Sequence, residues 1–449
     1  MRSHTNVTCY ALLVTGFLAT VIAVPIAEAV FAPLTFRYDH YLYEIDPDDH
    51  GLWRATEESW TYLGQEIMPP SSLRIDGDNL ASLPEGIVRT TRLAWDEDAI
   101  RTTLQQQIAS LLDRDAGSVS LRYNDGKVEF EGVGLLGREV DLDEAAHLTV
   151  EAIKRGVTDI ILPMKIVQPE ITIEDTELLD MGITEVITIG ESDYRGSPGP
   201  RKHNISVGLE KFNGQIIPPD AVFSFNSILG PVNAATGYKK ELVIKGDKTL
   251  PDYGGGLCQV STTAYRGAWE YGFPIDKRKN HSYSVRYYSP EGTDATIYPP
   301  YADIRFTNDT ENALVIQTHT DDGRAYFIYY GTDDKRKSEV LGPFVWAKRS
   351  APADRIEYTT SLPPGVTRKV GGRVPGLRAA WFRTVQRPEE ETSTTEGFYS
   401  LYEARPSYMQ IGIAETPAEE PEEEPVVEKL TKSKRSWINR FRRPTRRQR

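Results

Sequence analysis

The residues best suited to covalent chemistry are one cysteine, one histidine and one aspartate that follow each other along the chain. Cys258 follows three glycines and Leu257, at the start of a predicted helix of about four turns that stops at Gly272. Backbone N–H groups and the dipole at a helix start favour a thiolate. His281 and Asp294 follow, so the histidine can take and return the thiol proton while the carboxylate holds the ring. These residue types predict a Cys258–His281–Asp294 triad that attacks a carbonyl.

Several residues around this triad are predicted to bind a substrate or to stabilise an oxyanion. The predicted binding residues are Gly254, Gly255, Gly256, Gln259, Ser261 and Asp303. The three glycines permit a tight turn and a close backbone approach. Gln259, or backbone N–H groups at the helix start, would serve the oxyanion. Asp303 is the alternative acid for orienting the histidine.

Each member of the triad also has an ordinary structural role. A cysteine after a glycine turn can be a small buried hydrophobic residue, His281 can be a core or capping histidine, and Asp294 can cap a turn. No fitting partner suggests a zinc site, and the glycine turn lacks the Lys-Ser/Thr of a phosphate-binding loop, so neither a metal nor a cofactor is predicted. The residues alone leave catalysis and binding both open.

The elements that must position these residues follow from hydrophobic periodicity. The helix after Cys258 has an inward face of Leu257, Val260, Ala264 and Ala268. The surrounding predictions are a helix over 204–212, extended chain over 216–226, and strands over 280–288, 303–308, 314–319 and 325–330. The later strands form an antiparallel set, so this part of the chain is predicted to be α+β.

This central part of the chain resembles the VanW family. The motifs that carry the resemblance are Ile217–Asn226, Gly237-Tyr238, Gly254–Thr263, His281-Ser282, Gly292–Thr296 and Asp303–Asn308. The resemblance implies an exported protein associated with the bacterial cell wall. It implies no established reaction and no resistance phenotype.

A smaller α+β domain is predicted before it, over residues 93–175. A helix over 96–112, a hairpin over 118–132, a helix over 144–155 and a strand over 159–166 form its pattern. With Gly137–Asp141 and Gln168–Thr172, this order resembles the peptidoglycan-binding domain of YoaR-type cell-wall proteins. The resemblance implies that peptidoglycan or its precursors are the partner. A spacer without a ligand is the alternative.

The N-terminus contains an uncharged apolar run over residues 9–27, close to the length that spans a bilayer. We favour an uncleaved anchor within residues 1–32, with contact to the membrane through residues 9–32. A signal peptide cut after Ala29 is the alternative. Either interpretation exports the rest of the chain, so we expect a single-pass protein of the cell membrane with an extracytoplasmic body.

The charge distribution and the cysteine content limit the kinds of partner that the chain is expected to bind. The 449-residue chain has a net charge of −13, yet Lys429–Arg449 carries ten basic residues and no acid. An acidic body argues against nucleic acid binding. The basic tail suits an anionic lipid or wall polymer, or is simply a solvated segment. Two cysteines, with Cys9 in the apolar run, give Cys258 no expected disulfide partner.

Together these patterns predict an α+β, multidomain protein. The predicted segments are a membrane anchor or signal peptide (1–32), an unassigned spacer (33–92), a peptidoglycan-binding domain (93–175), a linker (176–203), a VanW-like domain (204–332), a β-rich module that resembles a diverged G-five domain (350–413), and a disordered acidic then basic tail (414–449). An accessory β-extension is the alternative for 350–413. Two functions remain open. One is binding of peptidoglycan or its precursors, and the other is hydrolysis or transpeptidation of wall peptides through Cys258, His281 and Asp294.

Overall fold

The computed structural model describes residues 31–68, 86–245 and 248–414. Over these ranges the chain is a sheet-rich α+β protein, which confirms the predicted fold class. The predicted anchor and the predicted tail lie outside the described residues, except for their few innermost positions. Within the described ranges, no helix combines the length and apolar character needed to cross a bilayer.

The N-terminal part, to residue 173, contains eleven strands and a helical layer. The strands are β1 Leu34–Tyr38, β2 Tyr41–Ile45, β3 Arg54–Tyr62, β4 Gln65–Ile67, β5 Ile87–Trp95, β6 Ser118–Asn124, β7 Lys127–Val133, β8 Gly137–Val140, β9 Asp159–Ile161, β10 Met164–Val167 and β11 Glu170–Ile173. The helices are α1 Glu97–Leu104, α2 Ser110–Leu112 and α3 Leu142–Arg155, with a π-helical turn at Gln105–Ala109. The predicted helices and hairpin are therefore confirmed, and the unassigned spacer forms strands β1 to β5.

The hairpin of β6 and β7 does not build a core of its own. Val119, Leu121 and Val128 of the hairpin are buried with Val186 and Ile328, which belong to the central part of the chain. Separate packing occurs around α1 and α3, whose apolar faces meet in another buried cluster. The predicted peptidoglycan-binding segment is therefore divided between two cores.

The central part, residues 176–331, contains the element around which the candidate site is built. Its helices are α4 Thr176–Asp180, α5 Gly199–Glu210, α6 Phe225–Leu229 and α7 Leu257–Tyr271. Its strands are β12 Glu185–Asp193, β13 Gln215–Ile217, β14 Val222–Ser224, β15 Lys240–Lys245, β16 Lys248–Tyr253, β17 Ile275–Lys277, β18 Arg305–Thr307, β19 Leu314–Asp321 and β20 Arg324–Gly331. An antiparallel sheet of order β12-β20-β19-β13 carries α7 on one face.

Helix α7 approaches strand β12 closely because both elements carry glycine at the crossing. A Cβ on Gly190 would lie 1.9 Å from the Thr263 carbonyl oxygen, and a Cβ on Gly267 would lie 2.5 Å from the Gly190 nitrogen. Tyr329 on β20 also donates a hydrogen bond to the Ala264 carbonyl at 2.9 Å. The sheet therefore fixes the depth and rotation of α7.

Two local predictions are wrong. The linker predicted over 176–203 consists of helix α4, strand β12 and the start of α5, and Gly190 within it is needed for packing rather than for flexibility. The strand predicted over 280–288 is a loop that ends in a 3-10 turn at Arg286–Tyr288. In that loop the His281 N–H bonds to the Asp294 carboxylate at 2.7 Å instead of to a neighbouring strand.

The C-terminal strands divide between two compact units. They are β21 Lys337–Arg349, β22 Arg355–Thr359, β23 Thr367–Val370, β24 Gly376–Gln386, β25 Thr394–Tyr402 and β26 Tyr408–Gly412. The sheet β21-β24-β25 belongs to the unit that also contains α7. The second unit comprises residues 354–370 and the chain from Ser407, and its sheet has the order β22-β26-β23. The G-five resemblance of 350–413 stays a prediction.

Candidate active site

Cys258 occupies the second position of a helix that is otherwise almost entirely inside the protein. Every residue of α7 is buried except Cys258 and Glu270, which are half-buried. The predicted inward face is confirmed, but it is only part of a helix covered on all sides, as expected of a central core helix. The thiol is therefore held on a rigid element and reaches the surface of a cavity.

The glycine turn before Cys258 is required by backbone geometry. Gly256 caps α7 with φ 116°, a conformation that residues with a Cβ rarely adopt. A Cβ on Gly255 would lie 2.8 Å from both the Glu241 Cβ and the Leu242 carbonyl oxygen of strand β15. The turn therefore lets the β15–β16 hairpin lie directly against the start of the helix.

His281 and Asp294 form a buried pair. The ring Nδ1 of His281 donates to Asp294 Oδ2 at 2.6 Å, and the His281 backbone N–H donates to the same oxygen at 2.7 Å. The opposite face of the pair is covered by Tyr288, whose ring stacks on the imidazole with centroids 4.5 Å apart. The ring of His281 is therefore fixed in position and tautomer, with Nε2 left for the cysteine.

Asp294 is itself held by two side chains that the sequence did not indicate. Its other oxygen, Oδ1, accepts hydrogen bonds from the Tyr402 hydroxyl and from the Arg278 guanidinium, the latter at 3.3 Å. Arg278 also donates to the Asp294 and Gly292 carbonyls at 2.8 and 2.9 Å. All hydrogen-bonding sites of the carboxylate face donors, so its ionised form is favoured.

The titration of the pair supports a thiolate at neutral pH. Burial raises the pKa of Cys258, but the neighbouring His281 ring and its charge outweigh burial and lower that pKa to about 7. Burial lowers the pKa of His281, yet Asp294 and the thiol together raise it to about 9. Burial disfavours the charged form of Asp294, but His281 and Arg278 hold the pKa of this carboxyl well below its usual value. Between these two pKa values a thiolate–imidazolium pair is the favoured state.

The remaining contacts of the thiol are weak. Cys258 Sγ lies 3.4 Å from Thr296 Oγ1 and 3.9 Å from the Ile297 carbonyl oxygen. Among the described residues, His281 Nε2 is buried and makes no hydrogen bond of ordinary geometry. Hydrogen bonds of this kind are often loose in ligand-free sites and tighten around the substrate. The thiol and Nε2 are therefore both free to act.

Cys258 and His281 open onto a cavity of about 570 Å³. The three predicted glycines, 254 to 256, also line it. Its aromatic and aliphatic lining residues include Val243, Ile244, Tyr283, Val285, Tyr287, Tyr288, Ile297, Tyr298 and Tyr301. A larger cavity of about 930 Å³, next to His40 and Arg266, contains neither Cys258 nor His281. The smaller cavity is the candidate active site because it contains the nucleophile.

Three other predicted site residues lie elsewhere. Gln259 is buried, and its amide donates to the Asp193 carbonyl at 3.2 Å and accepts from Arg201 at 3.3 Å, so it is not an oxyanion donor in this structure. Ser261 is buried and donates to the Ala295 carbonyl at 2.7 Å. Asp303 accepts from the Asn226 N–H at 2.9 Å and from the Ser224 hydroxyl at 2.8 Å, and so it holds the start of α6 rather than His281.

Residues 200–330 match the family model described as VanW like protein. This chain contains a VanW-family domain. The boundaries of the match agree closely with the predicted 204–332, and the match includes Cys258, His281 and Asp294.

Two relatives are similar to parts of this chain. The chain is 32% identical to the Bacillus subtilis protein YoaR over 174 residues, 38% of this chain and 57% of YoaR. It is 29% identical to the Enterococcus faecalis protein named vancomycin B-type resistance protein VanW over 126 residues, 26% of this chain and 45% of that protein. The matches thus span about half the length of these curated relatives.

Proposed function

We propose that this VanW-family protein is a cysteine-dependent acyl-transfer enzyme that acts on amide bonds of cell-wall peptides. The observation that carries the proposal is the arrangement of Cys258, His281 and Asp294. One half-buried thiol with a lowered pKa lies in a cavity beside a histidine that a carboxylate orients. This is the arrangement expected for an activated nucleophile.

The reaction begins with the thiolate of Cys258 and the imidazolium of His281. Sγ attacks the amide carbonyl carbon, and the carbonyl electron pair moves to oxygen. The C–N bond then breaks as His281 Nε2 gives its proton to the leaving nitrogen, which forms a thioester and a free amine. Water attacks the thioester, His281 takes one proton, and the C–S bond breaks to give the acid. An amine in place of water gives transpeptidation.

The oxyanion would be stabilised by the start of helix α7. The N–H groups of Leu257 and Gln259 donate to the Gly254 and Gly256 carbonyls at 3.0 and 2.9 Å. The Cys258 N–H has no such partner among the described residues. It lies at the positive end of the helix, where charge develops on the carbonyl oxygen of a substrate held by Sγ.

We also propose that the protein acts in the cell wall. One relative is named vancomycin B-type resistance protein VanW, and the segment before the VanW-like domain resembles a peptidoglycan-binding domain. Peptidoglycan or its precursors would contain the amide bond that is attacked. Residues 9–32 would anchor the chain in the membrane. The basic tail would bind anionic lipid or wall polymer. These roles extend the proposal beyond the site itself.

The experiment is to incubate the purified chain with isolated muropeptides and to follow the products by mass spectrometry. The expected result is a new amine and a new acid, or an exchanged amide, which disappear in Cys258→Ala and in His281→Ala. A wild-type chain that binds muropeptides but never changes their mass would contradict the enzyme proposal. That result would favour the binding function predicted from the sequence.

A further inference from the structure

Arg201 places a positive charge that pairs with no carboxylate of the described residues in the wall of the cavity that contains Cys258. It is the third residue of helix α5 and lines the cavity beside the glycine turn. Its guanidinium lies 5.0 Å from the centroid of the Tyr287 ring. Its Nη2 donates to Gln259 Oε1 at 3.3 Å and to the Tyr288 hydroxyl at 3.1 Å. The side chain is therefore oriented but only partly satisfied.

The partners of Arg201 are all neutral groups, apart from the thiolate of Cys258. Its Nε is buried and has no hydrogen-bond partner within the described ranges, and no carboxylate there pairs with it. Three other arginines with buried side chains are ion-paired. Arg278 contacts Asp294, Arg336 contacts Asp334, and Arg383 contacts Glu396. A guanidinium removed from bulk water is stabilised by an anionic partner, so Arg201 is suited to bind an anion that enters the cavity.

Gln259, the residue after the nucleophile, fixes the orientation of Arg201. Gln259 donates from Nε2 to the Asp193 carbonyl at 3.2 Å, which fixes its amide so that Oε1 faces Arg201. Tyr288 links Arg201 to the catalytic histidine because its hydroxyl accepts from Arg201 while its ring stacks on His281. Arg201 is thus held at a set position relative to both reacting side chains.

The charge balance of the cavity favours an anionic ligand. Among the described residues that line it, Glu241 is the one acid, and a Glu241 carboxylate oxygen accepts the Leu242 N–H at 2.8 Å. Arg201 and Lys279 line the same cavity, among aromatic and aliphatic side chains. A planar guanidinium pairs best with a planar, two-oxygen anion, and a carboxylate matches its fork.

We infer that Arg201 binds a carboxylate of the substrate, so that the protein selects peptides with a free carboxylate close to the amide that Cys258 attacks. This inference rests on the proposed function, since it names the substrate class of the same site. The reaction then releases the carboxylate-bearing fragment as an amine when the C–N bond breaks and His281 protonates the leaving nitrogen. Gln259 and Tyr288 act as positioning residues for Arg201.

Binding is the sharpest test because it does not depend on turnover. A stem peptide prepared as the free acid and as the C-terminal carboxamide is titrated calorimetrically into the full chain carrying Cys258→Ala. The acid is expected to bind about 10- to 100-fold more tightly than the amide. Adding Arg201→Met should bring the two peptides within about threefold of each other, whereas adding Lys279→Met, at the other basic residue of the cavity, should preserve the preference.

Equal binding of acid and amide in the Cys258→Ala chain would overturn the inference. A preference that survives Arg201→Met would overturn it as well, since another group would then hold the carboxylate. Failure of the proposed function looks different. In that case the wild-type chain turns over neither peptide, while the binding preference and its dependence on Arg201 are still present.

Discussion

Asp294 accepts two hydrogen bonds from His281 through a single oxygen, one from the ring Nδ1 at 2.6 Å and one from the backbone N–H at 2.7 Å. The double contact fixes the ring and its tautomer together. Without it, the imidazole could present either nitrogen to the thiol. The acid therefore controls which form of the histidine faces Cys258.

Asp294→Asn is expected to lower kcat for amide turnover by roughly 10²- to 10⁴-fold. The neutral side-chain amide that replaces the Asp294 carboxylate cannot stabilise the imidazolium of His281, and it can hold the ring in the wrong tautomer. Steady-state kinetics on muropeptides measures the effect. Asp303→Asn, at the acid that the sequence offered as an alternative, should leave kcat within about threefold, because Asp303 holds the start of α6. A larger loss from Asp303→Asn than from Asp294→Asn would contradict the assignment.

The pH dependence of turnover should follow the thiolate–imidazolium pair. Below pH about 7 the thiol of Cys258 is protonated and attack is lost, and above pH about 9 His281 has no proton for the leaving nitrogen. A plot of kcat/KM against pH should therefore be bell-shaped, with its two midpoints belonging to the coupled pair. A rate that keeps rising beyond pH 9 would mean that His281 is not the acid.

Tyr402→Phe should reduce kcat by about five- to tenfold, the cost of about one lost hydrogen bond to Asp294. The hydroxyl of Tyr402 donates to Asp294 and also accepts the Gly292 N–H at 2.8 Å. Since Tyr402 does not line the cavity, KM should stay close to the wild-type value. Tyr399→Phe is the matched control because Tyr399 is exposed on the same strand. Equal effects of the two substitutions would contradict a positioning role.

Gly190→Ala should unfold the protein at a clearly lower temperature, with a loss of at least about 3 kcal/mol in the free energy of unfolding. The new Cβ would lie 1.9 Å from the Thr263 carbonyl oxygen, so helix α7 would have to move. Gly199→Ala is the control, because a Cβ there meets nothing within 4 Å. Thermal denaturation of both variants measures the difference. A Gly190→Ala protein as stable as the Gly199→Ala protein would contradict the packing of α7 on β12.

The sequence predicted much of this site because its signals are local. The start and end of α7 are marked by glycines next to it in the sequence, and its apolar residues predict a buried helix. The chain order of Cys258, His281 and Asp294 suggested the triad. The sequence favoured Asp294 as the orienting acid and left Asp303 as the alternative, since both follow the histidine. Only the folded chain brings the Asp294 carboxylate to the ring and takes Asp303 to α6.

The parts that the sequence could not supply depend on distant partners. Tyr402 reaches Asp294 across 108 residues of chain, and no periodicity links a strand residue to a loop acid so far away. The loop that carries His281 looked like a strand because of its alternating residues, but long-range side chains hold it in place. Gly190 stood in a polar, Gly/Pro-rich stretch that resembles a linker, although its missing side chain is what lets α7 approach the sheet.

Activation of Cys258 by His281 can be measured without a substrate, from the rate of Cys258 alkylation by iodoacetamide as a function of pH. The protein should carry Cys9→Ala, so that Cys258 is the only thiol. If His281 activates the thiol, the midpoint lies near pH 7, and His281→Ala should slow alkylation at pH 7 by about 50-fold as the thiol pKa returns to 9 or above. A wild-type midpoint at the ordinary thiol value of about 9, unchanged by His281→Ala, would contradict it.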